Sequence, residues 1–254
     1  MTVVRFCPNK NNMTRNLLDL QIGLNTMIDK TIQIEEAVNG IADGATIMVG
    51  GFGVPGTPFM LIDELVRQNK KHLTLIKNDA NESGMGVDHL LRNGQVDRFI
   101  VSHIGLNPHA IQLMNEGRLE VEFCAQGILA ERIRAAGAGL AGFLTDIAMD
   151  TMLAKGKQTV EFEGQPYLIE AALRADIALI HAHQCDPFGN LTYAGSAQNF
   201  SPLMAMAADT VIVETENLLP LGGIAPEAVH TPGPFVDHVV HLPQLTEAYA
   251  VVRR

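Results

Sequence analysis

At 254 residues, with 47% hydrophobic content and no tryptophan, the chain is long enough for one generous α/β domain with a sizeable core. Its net charge of -10 argues against nucleic acid as a partner, because binding to a phosphate backbone rests on clustered Lys and Arg. No apolar run reaches the roughly 18 residues that a membrane span requires, and three cysteines, Cys7, Cys124 and Cys185, without CxxC spacing, suit a reducing cytoplasm better than a disulfide framework.

Residues 1–26 are polar, rich in asparagine early on, and carry Arg5, Lys10 and Arg15 against Asp19 alone. They lack the apolar core of a secretory signal. We read them as an N-terminal extension upstream of a start at Met27, and residues 27–254 as a single domain. A first helix is expected over Ile32–Ala42, where Ile34, Val38 and Ile41 share a face. Strands follow at Thr46–Gly50, Leu73–Ile76, Arg98–Ser102 and Glu120–Phe123. Helices are expected between them at Pro58–Gln68 and at Pro108–Asn115, the second capped by Asn107, with another at Gln126–Ala136. Residues 137–142 are nearly all Gly and Ala. Thr159–Ile169 then alternates polar and apolar residues about Glu163-Gly164, the pattern of a hairpin. Two more strands, Ile177–His181 and Thr210–Glu214, precede an irregular Thr231–Pro234 turn and a last strand-like run at Val236–His241. This alternation predicts an α/β fold: an open, mainly parallel sheet flanked by helices, with a small antiparallel β element.

The stretch Asp43–Pro58, DGATIMVGGFGVPGTP, runs a short strand into a loop of glycines and prolines and then a helix start. Gly50, Gly51, Gly53 and Gly56 have no Cβ, so a ligand can approach the main chain closely. Thr57 is expected to cap the next helix and Pro58 to occupy its first turn, which would turn the positive end of the helix toward the loop. Such a site suits a phosphate or a developing oxyanion. It is neither a nucleotide phosphate-binding loop, since no Gly-Lys-Ser/Thr follows, nor GxGxxG, since Phe52 and Pro55 break that template.

The same sixteen residues resemble, position for position, the first signature of the family I CoA-transferases: Asp-Gly, two free positions, three apolar residues, Gly-Gly-Phe, three free positions, Gly, one free position, Pro. From Met27 to Val240 the chain is similar to the α (A) subunits of acetate or acetoacetate CoA-transferases. The passages that carry this are Val101–Pro108, Gln126-Gly127 with Ala130–Arg134, Gly137–Gly139, Arg174–Asp176, Asp186, Gly189–Tyr193 and Ala197–Phe200.

The resemblance implies a CoA-transferase fold, shared with some sugar-phosphate isomerases. It implies CoA as a substrate with no permanently bound cofactor, and a CoA-binding segment formed by Gly50, Gly51, Phe52, Gly53, Val54, Pro55 and Gly56. A separate β subunit, in an α2β2 heterotetramer in the cytoplasm, is implied as partner. It would carry the nucleophilic glutamate, in a Ser-Glu-Asn-Gly context, so no catalytic residue is expected here. Asn81-Glu82-Ser83-Gly84 is a near miss in which the neighbours of Glu82 differ, and we read Glu82 as a solvated loop residue. One departure concerns Gly142-Phe143-Leu144-Thr145. Relatives commonly continue with Pro-Thr-Gly, whereas this chain has Asp146-Ile147-Ala148-Met149-Asp150, which bears on acyl preference.

Other polar groups invite functional readings. His181, His183, Cys185 and Asp186 are chemically able to bind zinc, but the family uses that stretch without metal, so we expect a packed strand end. Arg132 and Arg134 read as a solvated or subunit-facing helix edge. His103 and Asn107, at the end of a strand, are candidate ligand contacts. Competing readings are the α (A) subunit of a 3-oxoadipate CoA-transferase, a sugar-phosphate isomerase, for which the loop offers no Lys or Arg, and a metabolite sensor of the same fold.

Overall fold

A computed structural model describes residues 29–249. The expected extension at 1–26 and the Met27 start lie outside the described residues. The first helix, α1 (Ile34–Asn39), is shorter than expected. Its N-terminal neighbours are held instead by a strand: the amide of Ile32 donates to Val239 O at 2.9 Å, and that of Val239 to Lys30 O at 2.8 Å. In chain order come β1 (Thr46–Val49), α2 (Phe59–Gln68), β2 (Leu73–Asp79), α3 (Val87–Arg92), β3 (Val96–His103), α4 (Pro108–Asn115), β4 (Glu120–Phe123) and α5 (Gln126–Gly137). Next are β5 (Gly142–Thr145), β6 (Thr159–Phe162), β7 (Gln165–Ala171), β8 (Ala175–Ala182), β9 (Gln184–Cys185), β10 (Leu191–Thr192), α6 (Ser201–Ala207), β11 (Ala208–Thr215) and β12 (His238–His241).

Seven strands form a wholly parallel sheet in the order β12-β11-β8-β1-β2-β3-β4. Side chains alternate across it. Ile47, Val49, Leu75, Phe99 and Val101 pack on one face with Leu61, Ile62 and Leu65 of α2. Met48, Ile76, Ile100 and Ile180 pack on the other with Leu129 and Ile133 of α5 and Met204 of α6. Burial on both faces is why the central strands read as continuous apolar runs.

The hairpin is present as β6 and β7. Its turn holds Glu163 at φ 52° and Gly164 at φ 74°, as the tight primed turns require. β5, too short to stand out in the sequence, pairs with β7 to make a three-stranded antiparallel sheet, and Leu144, Ile169, Val160 and Phe162 are exposed on it. Among the described residues no helix is long and apolar enough to cross a membrane.

Strand succession runs outward in opposite directions from the β1/β8 pair. Such a switch point opens a crevice at the carboxyl ends of the strands, and the glycine stretch leaves β1 at that end.

Candidate active site

The loop after β1 first continues the sheet: the Gly50 amide donates to Leu179 O of β8 at 2.8 Å. Two turns follow, with Phe52 N bonded to Pro55 O at 3.0 Å and Thr57 N to Val54 O at 3.1 Å. The Gly53 carbonyl is the mooring point. It accepts from the Thr57 hydroxyl at 2.7 Å, from Asn81 Nδ2 at 2.8 Å and from Lys77 Nζ at 3.4 Å. The Gly53 amide donates to Asn78 Oδ1 at 3.3 Å.

The base of the loop is therefore the polar end of β2 and the turn beyond it. Lys77, Asn78, Asp79 and Asn81 belong to the candidate site, through bonds to Gly53 or to one another, and the sequence motifs miss them. The sequence shows only that the Leu73–Ile76 run ends in Lys-Asn-Asp; that these residues are nearly as buried as the run itself is visible in the structure alone.

Two expectations about the helix start are corrected. Pro58, not Thr57, occupies the cap position of α2, and the Thr57 hydroxyl turns back onto Gly53. Nor does the positive end of α2 face the loop. The amides of its first turn are taken by Thr57 O (from Phe59), by the Tyr249 hydroxyl (from Met60, 3.4 Å) and by the buried Glu214 carboxylate (from Leu61, 2.9 Å). The first turn of α2 is therefore closed by an internal carboxyl group rather than left open to a ligand.

The glycines also divide by role. A Cβ on Gly51 would overlap Thr57, and one on Gly56 would overlap the Ala197 carbonyl, so these two serve internal packing. Gly53, at φ 62°, has open space around it, with only Asp79 Oδ2 within 4 Å, at 3.7 Å. Among the loop glycines it is the one a ligand can approach.

Beside Gly53 lies a cleft of about 450 Å³ across the ends of β1, β2 and β3. Phe52, Val54, Pro55 and Leu106 give it apolar walls, Phe52 and Leu106 being half exposed. Its polar lining is Asp79, Asn81, Glu82 and His103. His103 is thus where a ligand contact was expected. Asn107 is not: fully buried, it caps α4 by accepting the Ala110 amide at 3.0 Å and donates to Ala80 O and Asp88 Oδ1. Glu82 forms part of the cleft wall and is only partly exposed, rather than standing in solvent.

The remaining candidates are dispersed. His181 Nδ1 faces Glu214 at 3.3 Å and His183 Nδ1 faces Glu216 at 3.6 Å, while Cys185 Sγ donates to its neighbour's carbonyl and Asp186 accepts the amide of Asn190. Among the described residues no group of three or more His, Cys, Asp or Glu could hold a metal ion. Of the solvated or subunit-facing edge expected here, Arg134 is at the surface, paired with Glu131, whereas Arg132 is not solvated. Its side chain is 12% exposed and is committed to Glu122 at 2.7 Å, Cys124 Sγ at 3.0 Å and Ala171 O at 3.0 Å. Burial pushes the Cys124 thiol up, against the pull of Arg132.

Residues 31–242 match the model of the coenzyme A transferase family. The alpha subunit of the acetate CoA-transferase of Escherichia coli (strain K12) is 45% identical over 84% of this chain and 97% of its own length. The α (A) subunit of the 3-oxoadipate CoA-transferase of Pseudomonas putida is also 45% identical, over 84% of this chain and 94% of its own. Among solved structures, an acyl-CoA transferase of E. coli O157:H7, in a thioester complex with CoA, superposes with a TM-score of 0.78 at 25% identity. That match covers 89% of this chain, which spans only half of the solved one.

Proposed function

The chain belongs to the coenzyme A transferase family, and on that premise we propose that it is the α subunit of a short-chain acyl CoA-transferase that works with a separate β subunit. Its reaction moves CoA from acetyl-CoA to a carboxylate such as acetoacetate or butyrate, so that one thioester is broken, another is formed, and acetate is released. A glutamate carried by the β subunit makes the attack on the thioester and gives an acyl-glutamyl anhydride. The expelled CoA thiolate attacks the glutamyl carbonyl, releases acetate and leaves a glutamyl-CoA thioester; the incoming carboxylate attacks that thioester to give a second anhydride and CoA thiolate, which then takes the new acyl group and frees the glutamate. A carboxylate is a weak nucleophile, so each step draws on oxyanion stabilisation and on binding energy from the distant CoA body.

This chain supplies the segment Gly50–Gly56, which we assign to CoA. The observation that carries the reading is Gly53, bare of side chain, fixed by three donors to its carbonyl and open toward the cleft. CoA is a substrate here and not a resident cofactor, the assembly is α2β2, and its compartment is the cytoplasm. The test is co-expression with the β-type subunit of the same organism. CoA exchange between acetyl-CoA and acetoacetate is expected from the complex and not from either chain alone. A complex inert with every short acid, or a stable lone chain that binds metabolites without turnover, overturns the proposal.

A further inference from the structure

Equal identity to subunits of an acetate and of a 3-oxoadipate transferase leaves the acid open. The charge at the floor of the cleft bears on it. A dicarboxylic acyl group brings a second carboxylate, which needs a cation to replace its hydration. Among the described residues lining the cleft there is no Lys or Arg. The one ammonium beneath it, that of Lys77, is wholly buried.

All three donors of that ammonium are already engaged, with Asp79 Oδ1 at 3.2 Å, Asn78 Oδ1 at 3.2 Å and Gly53 O at 3.4 Å. Asp79 stands between Lys77 and the cleft. Its Oδ1 holds the ammonium and the Asn81 amide, and its Oδ2 is turned toward Gly53. Its side chain is 8% exposed.

We propose that the Lys77–Asp79 pair determines acyl specificity: Asp79 cancels the lysine charge at the cleft floor, so the site takes acyl groups with no second carboxylate, such as acetyl, butyryl or acetoacetyl, and rejects dicarboxylic ones. This rests on the CoA-transferase reading and names its substrate class. It also defines Asp79 as a gate whose charge can be removed without changing its shape.

The experiment uses the assembled α and β complex with acetyl-CoA as donor and compares kcat/KM for acetoacetate and butyrate with that for succinate and 3-oxoadipate. The wild type should favour the monocarboxylates by at least about tenfold. Asp79→Asn leaves the buried ammonium without its carboxylate partner, a place that a second substrate carboxylate can take, and should shift that ratio toward the dicarboxylates by about tenfold, mainly by lowering their KM. The double variant Lys77→Met with Asp79→Asn keeps the volume, removes both charges and should return the ratio to that of the wild type. A wild type that prefers dicarboxylates overturns the specificity while leaving CoA transfer intact, and it does so even where Asp79→Asn fails to fold. Equal shifts in the single and double variants, or none in Asp79→Asn, also overturn it. Transfer to no acid at all overturns the underlying reading as well.

Discussion

The Glu214 carboxylate accepts the Leu61 amide at 2.9 Å, tying the carboxyl end of β11 to the first turn of α2, the helix that follows the glycine loop. In the β8/β11 register Glu214 lies opposite His181, whose Nδ1 is 3.3 Å away, and Tyr249 packs on both the His181 and Phe59 rings. Glu214 is fully buried. Replacing it with Ala strands a buried amide and an imidazole, which should cost about 2–4 kcal/mol. Urea unfolding measures this, and a loss below about 1 kcal/mol would show that neither group depends on the carboxylate.

Burial pushes the Glu214 pKa up, and the hydrogen bonds from His181 and Leu61 only partly oppose this. Between the ordinary value of 4.5 and the raised one, the folded state therefore binds more protons than the unfolded chain. The stability this proton contributes is fully present below the unfolded value and is lost as pH rises through the folded one. Glu214→Gln keeps an acceptor for Leu61 but does not titrate. Its stability relative to the wild type should therefore improve as pH rises through that window, measured by urea midpoints from about pH 4 to about pH 8. A difference that is constant across the range would show that Glu214 titrates normally.

The two types of loop glycine should respond differently to substitution. A Cβ at Gly56 meets the Ala197 carbonyl, so Gly56→Ala should displace backbone and cost about 2–3 kcal/mol. At Gly53 the space is open, and Gly53→Ala carries only the left-handed backbone strain of about 1–2 kcal/mol. Gly53→Val should nevertheless lower CoA turnover at least about tenfold while the protein folds, because its side chain would fill the open space that the proposed function assigns to CoA. Thermal melts and CoA exchange on the same preparations separate the two effects. Full activity in Gly53→Val removes the loop from the mechanism.

Parallel strands buried on both faces were legible because their apolar runs are uninterrupted. The expected Thr46–Gly50 ends one residue earlier, at Val49, and the expected Leu73–Ile76 runs on to Asp79. α3 was not legible. Its six residues carry little periodicity, and it is held through one buried carboxylate: Asp88 Oδ2 accepts the Gly84 amide and Arg92 Nε locally, and Asp88 Oδ1 accepts Asn107 Nδ2 from the start of α4. β5 was hidden for a related reason, since four residues, Gly-Phe-Leu-Thr, become a strand only against β7. The glycine loop could be read as a site, but its base could not. Asn78 and Asn81 reach Gly53 only because β2 lies beside β1, and local sequence does not record that pairing.

Neighbouring residues at that base give the sharpest contrast. Asn81, at φ 54°, donates through Nδ2 to Gly53 O and accepts the Val87 amide through Oδ1 at 3.1 Å, bridging the loop to α3. Asn81→Ala removes both links, so it should cost about 2 kcal/mol and lower CoA exchange. Glu82 follows directly and forms part of the cleft wall, which makes it the natural suspect for a nucleophile in this chain. If the attacking glutamate is on the β subunit, as proposed, Glu82→Ala should change kcat of the assembled complex by less than about tenfold, under about 1.4 kcal/mol in barrier. A loss of several orders of magnitude, with Asn81→Ala milder than Glu82→Ala, would instead place the acyl-bearing carboxylate in this chain.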